Sequence, residues 1–318
     1  MKRVIGRNHL RGISLALAAI FLLVSAPVGF SAEDALRLSG WRLPFNLPVM
    51  IELERGSYGK AFRGFDVSVV NMRTGPQLMA AMAAGDIDIV QGIGDAAFLV
   101  AAASGADAKI IAVNSRSPKA FAVVANKEIK SVADLKGKKV AGIRGSVVHQ
   151  AFIAALSEYG MTEADVEFFP MPVPLAATAL IAGRTDAALL VGGEILRAQK
   201  AGAVVIADGD GRVEGLSLVV ASGKFISDHP DAVRIFREMR SATLDYIKAN
   251  PNLATVTASL DTGMSQEDVE SMMGWYDFGA DLREKDVKSL LATRKYLLDQ
   301  KLITRDIDAA ALVYRGER

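Results

Sequence analysis

The chain has no cysteine. That excludes disulfides, a thiolate metal site and a lipid anchor carried on a cysteine sulfur. Histidine is almost as scarce. His9, His149 and His229 are scattered over 318 residues, and none stands in metal-ligand spacing with another. No nucleophile elbow, phosphate loop or dinucleotide fingerprint follows a strand-like run. The turn Arg144-Gly145-Ser146 lacks the Gly-Lys-Ser ending of a nucleotide-phosphate loop. Long runs of one charge, low-complexity tracts and obvious linkers are also missing. These absences leave little for an enzyme to work with, and no cofactor is expected.

The N-terminus is distinctive. Lys2, Arg3, Arg7 and Arg11 form a basic stretch without an acid, residues 13–24 are an apolar core, and Gly29, Ser31 and Ala32 supply small residues after it. The apolar run falls short of the roughly 20 residues that a membrane span needs. Residues 1–32 therefore read as a secretory signal peptide cleaved after Ser31 or Ala32. The whole chain carries 37 basic and 36 acidic residues; without the four basic residues of the leader the balance is 33 to 36, a net of −3. A mildly acidic mature protein does not suit nucleic acid. Export without an anchor points to a periplasm.

Beyond the leader, strand and helix patterns alternate. Residues 36–39, 65–70, 87–93 and 109–113 read as strands. Residues 75–84 read as a helix with Pro76 in its tolerated first turn, and 96–104 as another. The grammar then repeats, with strands at 121–125, 140–143, 166–169 and 187–191 and helices from Val147 and at 174–182. Ser131 to Asp134 and Thr162 to Asp165 have capping-box spacing. The stretch AMAAGDIDIVQG (81–92) aligns with ALIAGRTDAALL (179–190). In each a small-residue helix ends at a glycine, Gly85 or Gly183, and an aspartate, Asp88 or Asp186, stands three residues on. Such alternation predicts an α/β fold with parallel-rich sheets in two similar lobes. From His229 onward the pattern is helical, which predicts a helical tail packed on a lobe built earlier. The crossings between lobes are expected near residues 114–121 and 215–222.

One stretch suggests a site. The run 140–143, the turn at Gly145 and Ser146, and the helix from Val147 form a strand–turn–helix unit. The first N–H groups of that helix have no internal partner and carry the positive end of its dipole, so a small anion could rest on Gly145, Ser146 and Val147. Equally, Ser146 could simply cap the helix.

Four stretches carry a family resemblance: TGPQLMAAMAAGDIDIV, GDAAFLVAAASGAD, SVADLKGKKVAGIRGSVVHQAF and SDHPDAVRIFREM. In their order and spacing the chain resembles the solute-binding proteins of the sulfonate, taurine and nitrate class of ABC importers, from about Leu36 to Ala249. The resemblance implies the type II periplasmic binding fold: two α/β lobes joined by two crossover strands, which close on a ligand by hinge motion. It implies lobe 1 at 33–116 and 222–318, and lobe 2 at 117–221. The implied partners are a small solute, here a small organic anion of sulfonate or carboxylate type, and ABC permease subunits, with the chain acting as a monomer. An exported enzyme or ligand-sensing domain on the same scaffold is the competing reading. A thiamine-pyrimidine synthase, a relative in fold, is excluded because its cysteine-rich signature cannot exist here.

Carried over by position, the resemblance places the ligand against Trp41, Arg42 and Leu43, against Gly94, Asp95 and Ala96, against Ser115, Arg116 and Ser117, and against Gly145, Ser146, Val147 and His149. Trp41 would offer a stacking platform. Arg42 or Arg116 would pair with an acid group, and Asp95 either touches ligand or caps its helix. His149 reads as a packed histidine and His229 as structural, while Arg144 matches a basic family position outside the cleft. The chain departs from the family after the strand at 187–191. Gly192 and Gly193 replace an acid and a proline, which would make a roomier pocket and puts recognition of a ligand amine in doubt. Glu194 could restore that partner or merely favour the start of the next helix.

Overall fold

The computed structural model describes residues 34–40, 42, 46–72 and 74–316. The leader, Trp41 and Leu43 lie outside these residues. The chain first runs β1 (Ala35–Ser39), α1 (Leu47–Glu54), α2 (Ser57–Ala61), β2 (Asp66–Val70), α3 (Gly75–Ala84), β3 (Ile89–Gly94), α4 (Asp95–Ala103) and β4 (Ala108–Arg116). It crosses over to β5 (Phe121–Ala125), β6 (Lys139–Gly142), α5 (Val147–Ser157), β7 (Glu167–Pro170), α6 (Val173–Ile181), β8 (Ala187–Val191), α7 (Gly193–Lys200) and β9 (Val204–Asp208). It returns as β10 (Leu216–Ser222) and ends in α8 (Gly223–Asp228), α9 (Pro230–Ala249), α10 (Pro251–Thr262), α11 (Gln266–Met273) and α12 (Glu284–Asp299).

Two five-stranded sheets result, ordered β2-β1-β3-β10-β4 and β7-β6-β8-β5-β9. Both follow one plan. Three parallel strands are followed by a strand that arrives from the other sheet and runs antiparallel, β10 in the first and β5 in the second. The repeated helix–turn–strand stretch is the local basis of this likeness. Gly85 and Gly183 both take positive φ at the end of their helices. Asp88 accepts the backbone N–H of Arg37 at 2.8 Å, and Asp186 accepts that of Lys139 at 2.8 Å. In each sheet the repeated aspartate thus ties the helix-to-strand turn to the central parallel strand.

Strand periodicity divides the core. In the second sheet Val123, Val140 and Leu189 face α5 with Phe152 and Leu156, while Val124, Ala141 and Leu190 face α6 and α7 with Leu180 and Ile195. The first sheet is likewise covered on both faces, by α3, α4 and α12 on one side and by α2, α8 and α9 on the other. Strands buried on both faces read as continuous apolar runs, and Ala187–Val191 is such a run.

The two crossings are bonded to each other. The Ser117 N–H reaches the carbonyls of Glu214 and Gly215 at 3.1 and 3.2 Å. A side chain at Gly215 would meet Ser117 backbone at 2.9 Å, so only glycine allows this approach.

The tail helices pack chiefly on the first sheet and α1, and they also touch the second unit. α10 packs on α1, and Lys200 of α7 pairs with Asp268 of α11 at 2.6 Å. Residues 277–281 and 312–314 run along the open edge of β4, which would otherwise present unpaired backbone groups. α12 then lies between α4 of the first sheet and α5 of the second. Its Leu290, Tyr296 and Leu297 bury against Phe98 and Leu99, with Ile153 of α5 packed on the same cluster. The amphipathic pattern of 285–298 announces a helix but cannot say that its partners come from both sheets. Among the described residues no helix is long and apolar enough to cross a membrane.

Candidate ligand-binding cleft

In open α/β sheets the ligand position lies beyond the carboxyl ends of the strands. In the first sheet that edge holds the ends of β1, β3 and β4, the start of β10, and the starts of α1 and α4. In the second it holds the ends of β6 and β8 and the starts of α5 and α7.

Asp95 opens α4 and is buried. One carboxylate oxygen accepts the Ala96 N–H and the other the Thr293 hydroxyl, both at 2.8 Å. Burial pushes its pKa up to about 6, against the pull of those bonds. Both oxygens are engaged, one with the first turn of α4 and the other with α12. Gly94 precedes it as the extended cap residue.

Arg116 is the clearest correction. It is 1% exposed and its guanidinium is committed to the tail. Nε and Nη2 hold the Asp286 carboxylate at 2.6 Å each, Nη1 donates to the Gly279 carbonyl at 2.7 Å, and Nη2 donates to that of Asp281 at 2.6 Å. This fork pins β4 to the start of α12 and commits four of the five guanidinium donors to the protein, with Nη1 also 3.7 Å from the Asp277 carboxylate. Arg42 is half exposed and pairs with Asp261 of α10.

The helix start at Gly145 is closed by the chain itself. Ser146 caps α5, accepting the His149 N–H at 3.4 Å. The Tyr296 hydroxyl of α12 lies 2.5 Å from His149 Nδ1, beside this turn. His149 Nε2 meets Glu163, which also pairs with Arg144. Burial lowers the His149 pKa while Glu163 opposes this, favouring a neutral ring that accepts from tyrosine and donates to glutamate. Val147 is buried beside this cluster.

Gly192 and Gly193 do not open a roomier pocket. A Cβ at Gly192 would lie 3.6 Å from Met272 Cε and 3.9 Å from the Tyr276 hydroxyl, and one at Gly193 would lie 3.2 Å from Met264 Cε. The tail fills the space that the missing side chains leave. Glu194 holds Arg197 at 2.6 Å, one turn along α7, as its place in the first turn suggests.

A cavity of about 550 Å³ lies between the crossings, α5 and α12, with Trp275 and Tyr276 on its wall. Its charges are paired: Lys119 with Asp210, Lys285 with Glu214, and Arg212 with Glu158. It is large enough for a small organic molecule, but its cations are already matched by acids.

A pair of unmatched polar groups lies instead at the carboxyl edge of the first sheet. Asn46 Nδ2 and Ser115 Oγ are buried and find no hydrogen-bond partner among the described residues. Thr185 Oγ1, in the turn before β8, and Arg212 Nε, of a residue that lines the cavity between the crossings, are also unmatched. Leaving a buried donor unmatched costs about 1–3 kcal/mol, so such groups call for a ligand or an ordered water. Ser115 follows from its strand-end position. Asn46 does not, because an asparagine ahead of Leu47-Pro48 reads as an ordinary helix cap.

The geometry therefore defines a class: two α/β units of one topology, joined by two crossings, with unmatched donors at the carboxyl edge of the first sheet. The profile of the NMT1/THI5-like family matches residues 46–254, and the chain belongs to that family. An Escherichia coli K12 protein named for binding aliphatic sulfonates is 32% identical over 178 residues, 55% of each chain. The match thus spans about half the length of that relative. A Bacillus subtilis protein of the same name is 26% identical over 315 residues, covering 95% of this chain and 94% of the relative. The crystal structure of the periplasmic aliphatic sulphonate binding protein SsuA from Escherichia coli matches with a TM-score of 0.82 at 20% identity, covering 90% of this chain and 93% of that one. The desulfurization enzyme DSZB has the same fold, with a TM-score of 0.69 at 16% identity, covering 88% of this chain and 96% of that one.

Proposed function

We propose that the chain is the solute-binding component of an ABC importer. It captures a small organic anion, of sulfonate or carboxylate type, between two lobes formed by 33–116 with 222–318 and by 117–221. It delivers that solute as a monomer to permease subunits, acting in the periplasm after residues 1–32 are removed. The observation that carries this reading is the pair of like sheets joined at two mutually bonded crossings, with buried unmatched donors, Asn46 and Ser115, at the ligand edge. Hinged closure of such units around a small molecule is a known mode of binding. Sulfonate relatives support the anion. The pairing of Glu194 with Arg197 supports an acid without an ammonium group.

The neighbour DSZB shows that this fold also carries an enzyme, so fold alone does not decide. The absence of cysteine and the engagement of His149 by Tyr296 and Glu163 favour binding over turnover. A thermal-shift screen of the mature chain against alkanesulfonates, alkanecarboxylates and nitrate tests the reading. A ligand of the folded state must raise the melting temperature. If no organic anion raises it, the reading fails.

A further inference from the structure

The Asn46 carboxamide has a fixed polarity, and a buried arginine fixes it. Arg240 of α9 is 0% exposed. A guanidinium has donors only. Its Nε and Nη2 hold the Glu52 carboxylate at 2.6 and 3.1 Å, and Nη2 also donates to Gln91 Oε1 at 2.6 Å. Nη1 donates to Asn114 Oδ1 at 3.0 Å. Asn114 must therefore turn its oxygen toward Arg240 and its nitrogen away. That nitrogen donates to Asn46 Oδ1 at 2.6 Å and to the Ser217 hydroxyl at 3.3 Å. Asn46 must in turn offer its oxygen to Asn114, which leaves its NH2 as the group without a partner among the described residues. Gly92 makes room for this arrangement, since a Cβ there would overlap the Asn46 carboxamide. Each amide in the relay could be flipped in isolation, but neither can be flipped once Arg240 is in place.

We propose that Asn46 is a ligand-binding residue whose NH2 donates to an oxygen of the bound solute's acid group, oriented for that task by the Arg240–Asn114 relay. The inference rests on the binding function proposed above and names the polarity of one subsite. Ser115, next to Asn114 on β4, supplies a second unmatched hydroxyl at the same edge. Asn114 and Arg240 are positioning residues and need not touch the ligand. A subsite built this way accepts an oxygen acceptor and rejects a donor such as an ammonium group.

Two substitutions test the polarity rather than the packing. Asn46→Asp keeps the shape but replaces NH2 by oxygen. Calorimetry with ethanesulfonate and propionate, from pH 5 to 9, should show the variant's affinity falling relative to wild type as pH rises, by at least 30-fold across the range. The introduced carboxyl donates while it is protonated and repels the anion once it ionises. Asn114→Asp leaves Asn46 in place but offers it an acceptor, so Asn46 turns its oxygen to the ligand, and anion affinity should fall at least 10-fold. A constant affinity ratio across pH together with unchanged binding by Asn114→Asp overturns the proposal and leaves an ordered water as the partner of Asn46. If either variant fails to fold, the side-chain ¹⁵N–¹H signals of Asn46, assigned by their loss in Asn46→Leu, must shift on titrating wild type with ethanesulfonate; no shift at saturation overturns it. A wild type that binds none of these anions overturns the binding function itself, and this inference with it.

Discussion

Arg116→Ala should damage the fold and spare the ligand. The side chain is buried and makes four short bonds, two to the Asp286 carboxylate and two to carbonyls of the segment that leads into α12. Removing it leaves Asp286, which is fully buried, with the Arg283 N–H at 2.6 Å as its one strong donor among the described residues. Breaking a buried pair from one side costs about 3–5 kcal/mol, because the orphaned charge stays buried. At about 2–4 °C per kcal/mol for a chain of this size, the melting temperature should fall by roughly 6–20 °C. Replacing both partners with apolar residues, Arg116→Met with Asp286→Leu, should recover most of that loss, since an apolar pair of similar volume is often as stable as the ion pair. Differential scanning calorimetry gives the stability, and isothermal titration at a temperature where the variant is folded gives the affinity. The reasoning is refuted if Arg116→Ala melts like wild type while ethanesulfonate binding disappears. Arg116 would then be a ligand group after all.

Three further outcomes follow from other contacts. Asp95 has a raised pKa in the folded chain, about 6 against an ordinary 3.8. Its contribution to stability is full below pH 4 and is lost as pH rises through 6, by up to about 3 kcal/mol; Asp95→Asn should flatten that part of a urea-melt pH profile, and an unchanged slope would contradict it. Gly193→Trp should strike Met264 and loosen the tail, so limited proteolysis should cut near residues 262–276 in the variant; a tail as resistant as wild type would mean that the loop has room to spare. Tyr296→Phe removes the hydroxyl that bonds His149 Nδ1 and should lower stability by about 1 kcal/mol; a chemical melt with no change would show that this contact is not made in solution.

Much of the fold can be read from residue order, and the reasons are local. Pro76 and the glycines at 85 and 183 bracket helices, and the repeated aspartates at 88 and 186 mark equivalent turns in both sheets. The edge strand Val204–Asp208 escapes such a reading because it is short, half-buried and enclosed by Gly202 and Gly209, so its run resembles a loop. The site is less legible. Arg42, Arg116 and Glu194 have the right chemistry at the right strand ends, yet each is paired with a protein group far away or one turn on: Asp261, Asp286 and Arg197. A single sequence does not reveal such pairings, because a tail residue 170 positions away supplies the partner of Arg116. Asn46 is hidden for the opposite reason. Its meaning depends on which way an amide points, and that is set by Arg240, on a helix far along the chain.

A binding protein of this kind holds a small organic anion between its two sheets and releases it unchanged. The most direct test is a titration of the mature chain with an alkanesulfonate, followed by recovery of the ligand and its mass. The account predicts saturable binding of one molecule per chain, a rise in melting temperature worth about 2.7 kcal/mol at a hundred times the dissociation constant, and a recovered ligand of unaltered mass. Ligand consumed in proportion to incubation time, or no binding by any sulfonate or carboxylate, would contradict it.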